Sequence, residues 1–79
     1  SMLKLTEDNS FKINHTIDKV AEVYLTIPGQ KSGKGKVLVS VNGSVHELAA
    51  MTENEAIASG KSVKVVGVTG DQVLLVQSI

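Results

Sequence analysis

The chain of 79 residues has no cysteine, which excludes disulfide frameworks, thiolate zinc sites and cysteine nucleophiles together. It has no apolar run approaching the roughly 18 residues needed to cross a bilayer. Only Tyr24 and Phe11 are aromatic, so valine and leucine must fill the interior. Eight basic and eight acidic residues cancel, whereas nucleic-acid-binding domains normally carry a basic patch. What is left is one small domain with a thin aliphatic core.

Groups capable of catalysis are equally scarce. His15 and His46 have no acidic or histidine partner at metal-ligand spacing, and no serine stands in a G-x-S-x-G elbow. His46 is next to Glu47, but neighbours in a strand point to opposite faces. We therefore interpret His46 as a structural residue and predict a non-enzyme with no catalytic, cofactor or metal site.

The stretch from Gly29 to Lys36 differs from a phosphate-binding loop. Its Gly29 and Gly33 are one residue too close for G-x-x-x-x-G-K-[ST], and a strand follows where a helix should begin. Lys31, Lys34 and Lys36 concentrate positive charge in this stretch without an acid between them. Two interpretations stand: a solvated loop, or contact with an anionic lipid surface.

The N-terminal residues carry a weaker pattern than the rest. Ser1 precedes Met2, which is typical of a remnant of expression, so a membrane-spanning segment upstream is compatible with this chain. Residues 1–17 show no clean period and are predicted to be that remnant plus a flexible linker or membrane-proximal segment. The folded domain is predicted over residues 18–79.

Strand signals begin at Val20 and recur to the C-terminus. Pro28-Gly29 predicts a turn after the first strand. Asn42-Gly43 predicts a type I′ hairpin, because this turn needs positive φ at both central residues. The hairpin would place Val41 opposite Ser44, Val39 opposite His46, and Val37 opposite Leu48. One shared face follows from this register: Val37, Val39, Val41, His46, Leu48 and Ala50.

The segment from Thr52 to Gly60 is predicted to be a short helix. Thr52-Glu53-Asn54-Glu55 fits a capping box, and Gly60 is placed to end the helix. A helix this short needs Ile57 buried against the sheet.

The last quarter contains two valine-rich strands punctuated by glycine at 60, 67 and 70. In Val63–Val68 the apolar parity switches, with Val63 and Val65 on one face and Val66 and Val68 on the other, which predicts a bulge. Val73 to Val76 is apolar throughout, so both faces of the last strand are predicted to be covered. The cover is the N-terminal segment around Phe11 and Ile13, or a partner.

The order of these elements predicts an all-β fold. Five strands with one short helical turn between strands 3 and 4 is the plan of an OB-fold, a Greek-key β-barrel. Barrels of this kind commonly bind oligonucleotides by stacking bases on exposed aromatics, and Tyr24 is the single aromatic on a predicted strand. Lipoyl and biotinyl carrier domains are also small and valine-rich, but they need a lysine at a hairpin tip. Here the tips carry Asn42-Gly43 and Gly70-Asp71.

The glycine and valine spacing leads to a family. The pattern consists of Gly35-x-Val37-x-Val39, then Ala49, then Ile57-x-x-Gly60-x-x-Val63-x-Val65-Val66-Gly67-Val68-x-Gly70-x-x-Val73-x-Leu75. From about Thr16 to the end, the chain resembles the C-terminal soluble domain of NfeD-like membrane proteins. Asp18 and Ala21 stand where glycines are common in that family. Met51 stands two positions after Ala49, where the family often has a serine.

The resemblance implies a function. It implies an OB-fold domain tethered to the membrane by transmembrane helices on its N-terminal side. It also implies a non-catalytic protein-interaction role with stomatin/slipin- or flotillin-like scaffold proteins in membrane organisation. Longer relatives carry a serine-protease domain of the ClpP class, of which nothing is present here. The alternative function is that of a soluble oligonucleotide-binding domain.

Overall fold

The computed structural model describes residues 12–79. A 3₁₀ turn comes first and five strands follow: Ile13–Thr16, then β1 Val20–Leu25, β2 Gly35–Val41, β3 Ser44–Met51, β4 Ser62–Val68 and β5 Leu74–Ser78. The strands close into a barrel in the order β1-β2-β3-β5-β4, with β4 pairing back to β1. Only the β3–β5 pair is parallel. The predicted all-β, five-stranded barrel is confirmed.

The β2–β3 hairpin has the predicted register. Asn42 and Gly43 have φ of 53° and 83°, the two positive angles that a type I′ turn requires. Val41 lies opposite Ser44, Val39 opposite His46, and Val37 opposite Leu48. The shared face points inward, where the three valines and Ala50 are buried and His46 and Leu48 are half-buried.

The helical turn predicted between strands 3 and 4 is not where the sequence placed it. Residues 52–60 contain no helix, and the short helical turn lies before β1 instead. The carbonyl oxygens of Thr52 and Asn54 accept hydrogen bonds from the N–H groups of Lys31 and Gln30, at 2.8 and 2.7 Å. Ile57, buried as expected, exchanges two 2.9 Å backbone bonds with Ile27. These long-range bonds engage the backbone groups that a helix would use, and the Thr52 hydroxyl accepts only the local N–H of Asn54 at 3.3 Å.

The parity switch in β4 is a bulge, as predicted. The register against β5 shifts between Val65 and Gly67, which leaves Val66 as the extra residue with 41% of its surface exposed. Val63 and Val65 are fully buried. The expectation that Val68 shares the outer face with Val66 is wrong, because the extra residue restores the inward parity and Val68 packs against the core. A second bulge, which the sequence did not indicate, lies in β1 between Val23 and Leu25.

The chain before β1 packs on the barrel from Ile13 onward. Thr16 is fully buried, and its hydroxyl donates to the Ile13 carbonyl at 2.7 Å. Asp18 N–H donates to Val65 O at 2.8 Å, and Val65 N–H donates to Lys19 O at 2.9 Å. These bonds tie the described part of the predicted linker to β4.

The apolar last strand is covered on its inner side by the core. Leu74 and Val76 face inward and are fully buried, whereas Leu75 is half-buried. Of the segment predicted to cover the outer side, Phe11 lies outside the described residues. Ile13 packs against the core cluster, and its 3₁₀ turn contacts β2 and β4. The turn therefore packs against β2 and β4 rather than covering the outer side of β5.

Candidate interaction surface

The described residues hold no constellation suited to catalysis. His15 lies exposed in the 3₁₀ turn, and His46 lies half-buried on the inward face of β3. Across residues 12–79, no group of three histidine or carboxylate side chains is arranged to hold a metal ion. The features that remain for function are the loop between β1 and β2 and the outer surface of the barrel.

The β1–β2 loop is docked firmly onto residues 52–56. Gln30 and Lys31 both adopt left-handed backbone, with φ of 55° and 56°, an uncommon conformation for residues other than glycine. Their N–H groups make the two bonds to Asn54 and Thr52 described above, which compensate for that conformation. At Gly29 a Cβ would lie 2.7 Å from the backbone nitrogen of Ala56, so the loop approaches this segment too closely for any side chain.

The three lysines of the predicted lipid contact differ in their surroundings. Lys31 Nζ lies 3.3 Å from Glu53 Oε2, and Lys36 Nζ lies 3.9 Å from Glu47 Oε2. Both pairs are about half exposed, so each contributes little to stability. Lys34 is exposed between them, with no ion pair among the described residues. The structure thus places two of the three charges beside carboxylates.

An apolar strip crosses the outer face of β1, β2 and β3. Val20 and Val45 have 60% and 67% of their surface exposed. With Leu38, Ser40 and Glu22 they line a shallow depression. The pairing of Glu22 with Leu38 and of Ser40 with Val45 makes these three strands one continuous surface. The sequence signal was available, because Val20 and Val45 fall on the parity opposite to the buried positions.

The first part of β3 forms an open edge of the barrel. β3 pairs with β2 along its whole length, but β5 meets it only at Ala50 and Met51. Within the part of the chain that the structure describes, residues 45–48 therefore have a strand neighbour on one side only. Sequence reasoning missed this edge, because no local pattern in β3 shows where β5 leaves it.

A depression lies beside this edge, between β3, the 3₁₀ turn and the loop that precedes β5. Its lining residues are Lys12, Ile13, Asn14, Leu48 and Gln72. Leu48 is an inward-facing residue that stays half-buried because no strand stands next to it on this side.

Among residues 12–79, no helix is long and apolar enough to span a bilayer.

The architecture defines a class of protein, a small closed β-barrel. Among the described residues, its candidate functional regions are parts of the barrel surface. The sequence model of the NfeD C-terminal domain family matches residues 20–77, which cover all five strands apart from Ser78. The chain belongs to the NfeD C-terminal domain family. No curated protein matches its sequence significantly.

Solved structures share this fold. The soluble domain of the NfeD protein YuaF from Bacillus subtilis is 24% identical with a TM-score of 0.67, over 82% of this chain and 75% of that one. The C-terminal domain of stomatin operon partner protein 1510-C from Pyrococcus horikoshii is 23% identical with a TM-score of 0.65, over 82% and 89%. The soluble domain of a Corynebacterium glutamicum membrane protein implicated in regulation of membrane protease activity is 19% identical, with a TM-score of 0.60 over 85% and 97%.

Proposed function

We propose that this domain is a non-catalytic protein-interaction module that acts with a stomatin/slipin- or flotillin-like scaffold protein in membrane organisation. The observation that carries the proposal is the family match over residues 20–77. The described residues of this barrel offer binding surfaces and no group of side chains arranged to hold a metal ion. The likeness to a domain of a stomatin operon partner protein supports a stomatin-like partner. The mechanism is presentation of a rigid barrel surface to that partner.

The second part of the proposal is a membrane tether. Two of the similar structures are soluble domains of an NfeD protein and of a membrane protein, which supports membrane association of the full-length protein. We expect the transmembrane helices to lie on the N-terminal side of this domain. A domain held at a membrane meets its partner at high effective concentration, so a modest affinity suffices for function. Contact of Lys31, Lys34 and Lys36 with anionic lipid would add to the same tether.

Direct binding tests the proposal. A stomatin-like protein is titrated with this domain, and association is measured by calorimetry at physiological salt. We expect saturable binding that changes little between low and physiological salt, because the domain carries no net charge.

A single-stranded DNA and RNA panel is the matched counter-experiment. Tyr24, 53% exposed on β1, is the one aromatic among the described residues that could stack a base. Oligonucleotide binding at physiological salt that weakens steeply as salt rises, together with no binding to the stomatin-like protein, would replace our proposal with the oligonucleotide-binding alternative.

A further inference from the structure

The open edge of β3 carries backbone groups that face away from the barrel. The two-residue turn makes Val41 and Ser44 a hydrogen-bonded pair, and such pairs alternate along an antiparallel ladder. Val45 and Glu47 therefore belong to non-hydrogen-bonded pairs, so their N–H and C=O groups point away from β2. Among the described residues, no backbone group outside the β2–β3 ladder bonds to either of them. The edge is a template for one more strand.

The side chains beside this edge define what kind of strand fits. Val45 is exposed on the outer face, where it continues the apolar strip that begins at Val20. Two residues further along β3, Glu47 lies on the same face. Its ion-pair partner Lys36 belongs to β2 and therefore lies on the side away from the open edge. On the inner face, the depression at Leu48 has room for the alternate side chains of an added strand.

We propose that an extended segment of the partner protein adds to the open edge of β3 from Val45 to Leu48. This inference rests on the proposed function and assigns a surface to it. The segment carries an apolar residue beside Val45 and a basic residue two positions away beside Glu47. Backbone hydrogen bonds supply affinity, and these alternate side chains supply specificity. Cross-strand neighbours of this kind are the pairs that stabilise sheets.

A second copy of the chain fits this edge poorly. An antiparallel second copy would set Glu47 opposite either Glu47 or Val45 of the other copy, so neither register brings a positive charge to the carboxylate. Like charges directly opposite each other destabilise a strand pair. The edge is therefore matched to a segment of different sequence with a positive charge at that position.

Two substitutions at one position test the edge. Glu47→Pro removes an outward N–H while leaving the β2 ladder intact, because proline is tolerated on an edge strand whose N–H faces solvent. Glu47→Gln keeps that N–H and removes the charge. With the stomatin-like protein as the probe, we expect Glu47→Pro to weaken binding about tenfold or more, and Glu47→Gln by less than about threefold. Val45→Lys, at an exposed position where the fold is retained, weakens binding as well.

The outcomes separate this inference from the function on which it rests. If the unsubstituted domain does not bind the stomatin-like protein, the proposed function fails. If it binds and Glu47→Pro and Val45→Lys bind equally well, the β3 edge is not the site. Unchanged thermal unfolding of each variant is the control; should Glu47→Pro unfold, Val45→Lys decides alone.

Amide exchange on the isolated chain tests the edge independently. We expect the Val45 and Glu47 amides to exchange rapidly alone and to become protected when the partner is added. Protection that grows with chain concentration would assign the edge to a second copy. Protection at every concentration would assign it to the chain's own residues, and either result overturns the inference.

Discussion

Gly35 lies against Leu25 so closely that a Cβ on Gly35 would be 2.4 Å from the Leu25 carbonyl oxygen. The same Cβ would lie 2.6 Å from the carbonyl oxygen of Thr26. Both contacts are with backbone, which cannot rotate away as a flexible side chain can. The start of β2 thus crosses the end of β1 at a distance that only glycine permits.

Gly35→Ala is expected to destabilise the domain by at least about 2 kcal/mol, because backbone must shift to accept the methyl group. Gly67→Ala is the matched control. There the added Cβ meets only Leu75 Cβ, at 3.9 Å, and φ is not in the left-handed region. A change within about 0.5 kcal/mol is expected for it. Urea unfolding measures both, and equal losses would contradict the close-approach explanation.

Val65 and Val66 are adjacent in sequence but opposite in burial. Val65 is fully buried, whereas the bulge turns Val66 outward. Val65→Ala is expected to cost about 2 kcal/mol from lost burial and the cavity left behind, and Val66→Ala about 0.5 kcal/mol or less. The comparison is internally matched, since both substitutions remove the same atoms from the same strand. Similar losses of unfolding free energy would contradict the outward position of Val66.

How far the sequence predicts this molecule depends on the range of the interactions involved. The hairpin register follows from Asn42-Gly43 because the turn fixes it locally. The β4 bulge follows from the parity of Val65 and Val66. The helix predicted over residues 52–60 fails because its carbonyls are taken by Gln30 and Lys31, more than twenty residues away along the chain.

The open edge of β3 could not be predicted for a similar reason. Its existence depends on β5 leaving β3 after only Ala50 and Met51, a geometric consequence of how the whole barrel closes. No pattern within β3 itself encodes the length of that contact. The exposed valine at position 45 hinted at the outer face, yet it did not indicate the unpaired backbone beside it.

Thr16 and Ser32 make the same local hydrogen bond in different surroundings. Each hydroxyl donates to the carbonyl three residues earlier, at 2.7 Å to Ile13 and 2.6 Å to Gly29, but Thr16 is buried and Ser32 is exposed. Thr16→Val keeps the shape and removes the donor, so the partly buried Ile13 carbonyl loses its partner at a cost of about 1–2 kcal/mol. Ser32→Ala leaves a carbonyl that water can reach, and we expect less than about 0.5 kcal/mol.

Thermal and urea unfolding followed by circular dichroism measure this pair. The larger loss at Thr16 would show that the 3₁₀ turn is part of the folded domain rather than of a linker. Equal and negligible losses would contradict its packing against β2 and β4.

Lys34 is the residue that best tests contact with a lipid surface. Lys31 and Lys36 already lie beside Glu53 and Glu47, so much of their charge is compensated, whereas Lys34 is exposed without such a carboxylate among the described residues. A basic residue near an anionic surface contributes about 1 kcal/mol. Lys34→Gln is therefore expected to weaken binding to phosphatidylglycerol-containing vesicles about fivefold.

Lys64→Gln is the control for this measurement, because it makes the same change in net charge elsewhere. Lys64 in β4 lies opposite Val20, at the other end of β1 from the β1–β2 loop that carries Lys34. Its Nζ lies 3.9 Å from Asp18 Oδ1. Vesicle co-sedimentation at several salt concentrations distinguishes the two variants. If both variants bind the vesicles equally weakly, net charge alone explains the effect and Lys34 has no special role. If the unsubstituted domain does not bind the vesicles, lipid contact is not part of the proposed tether.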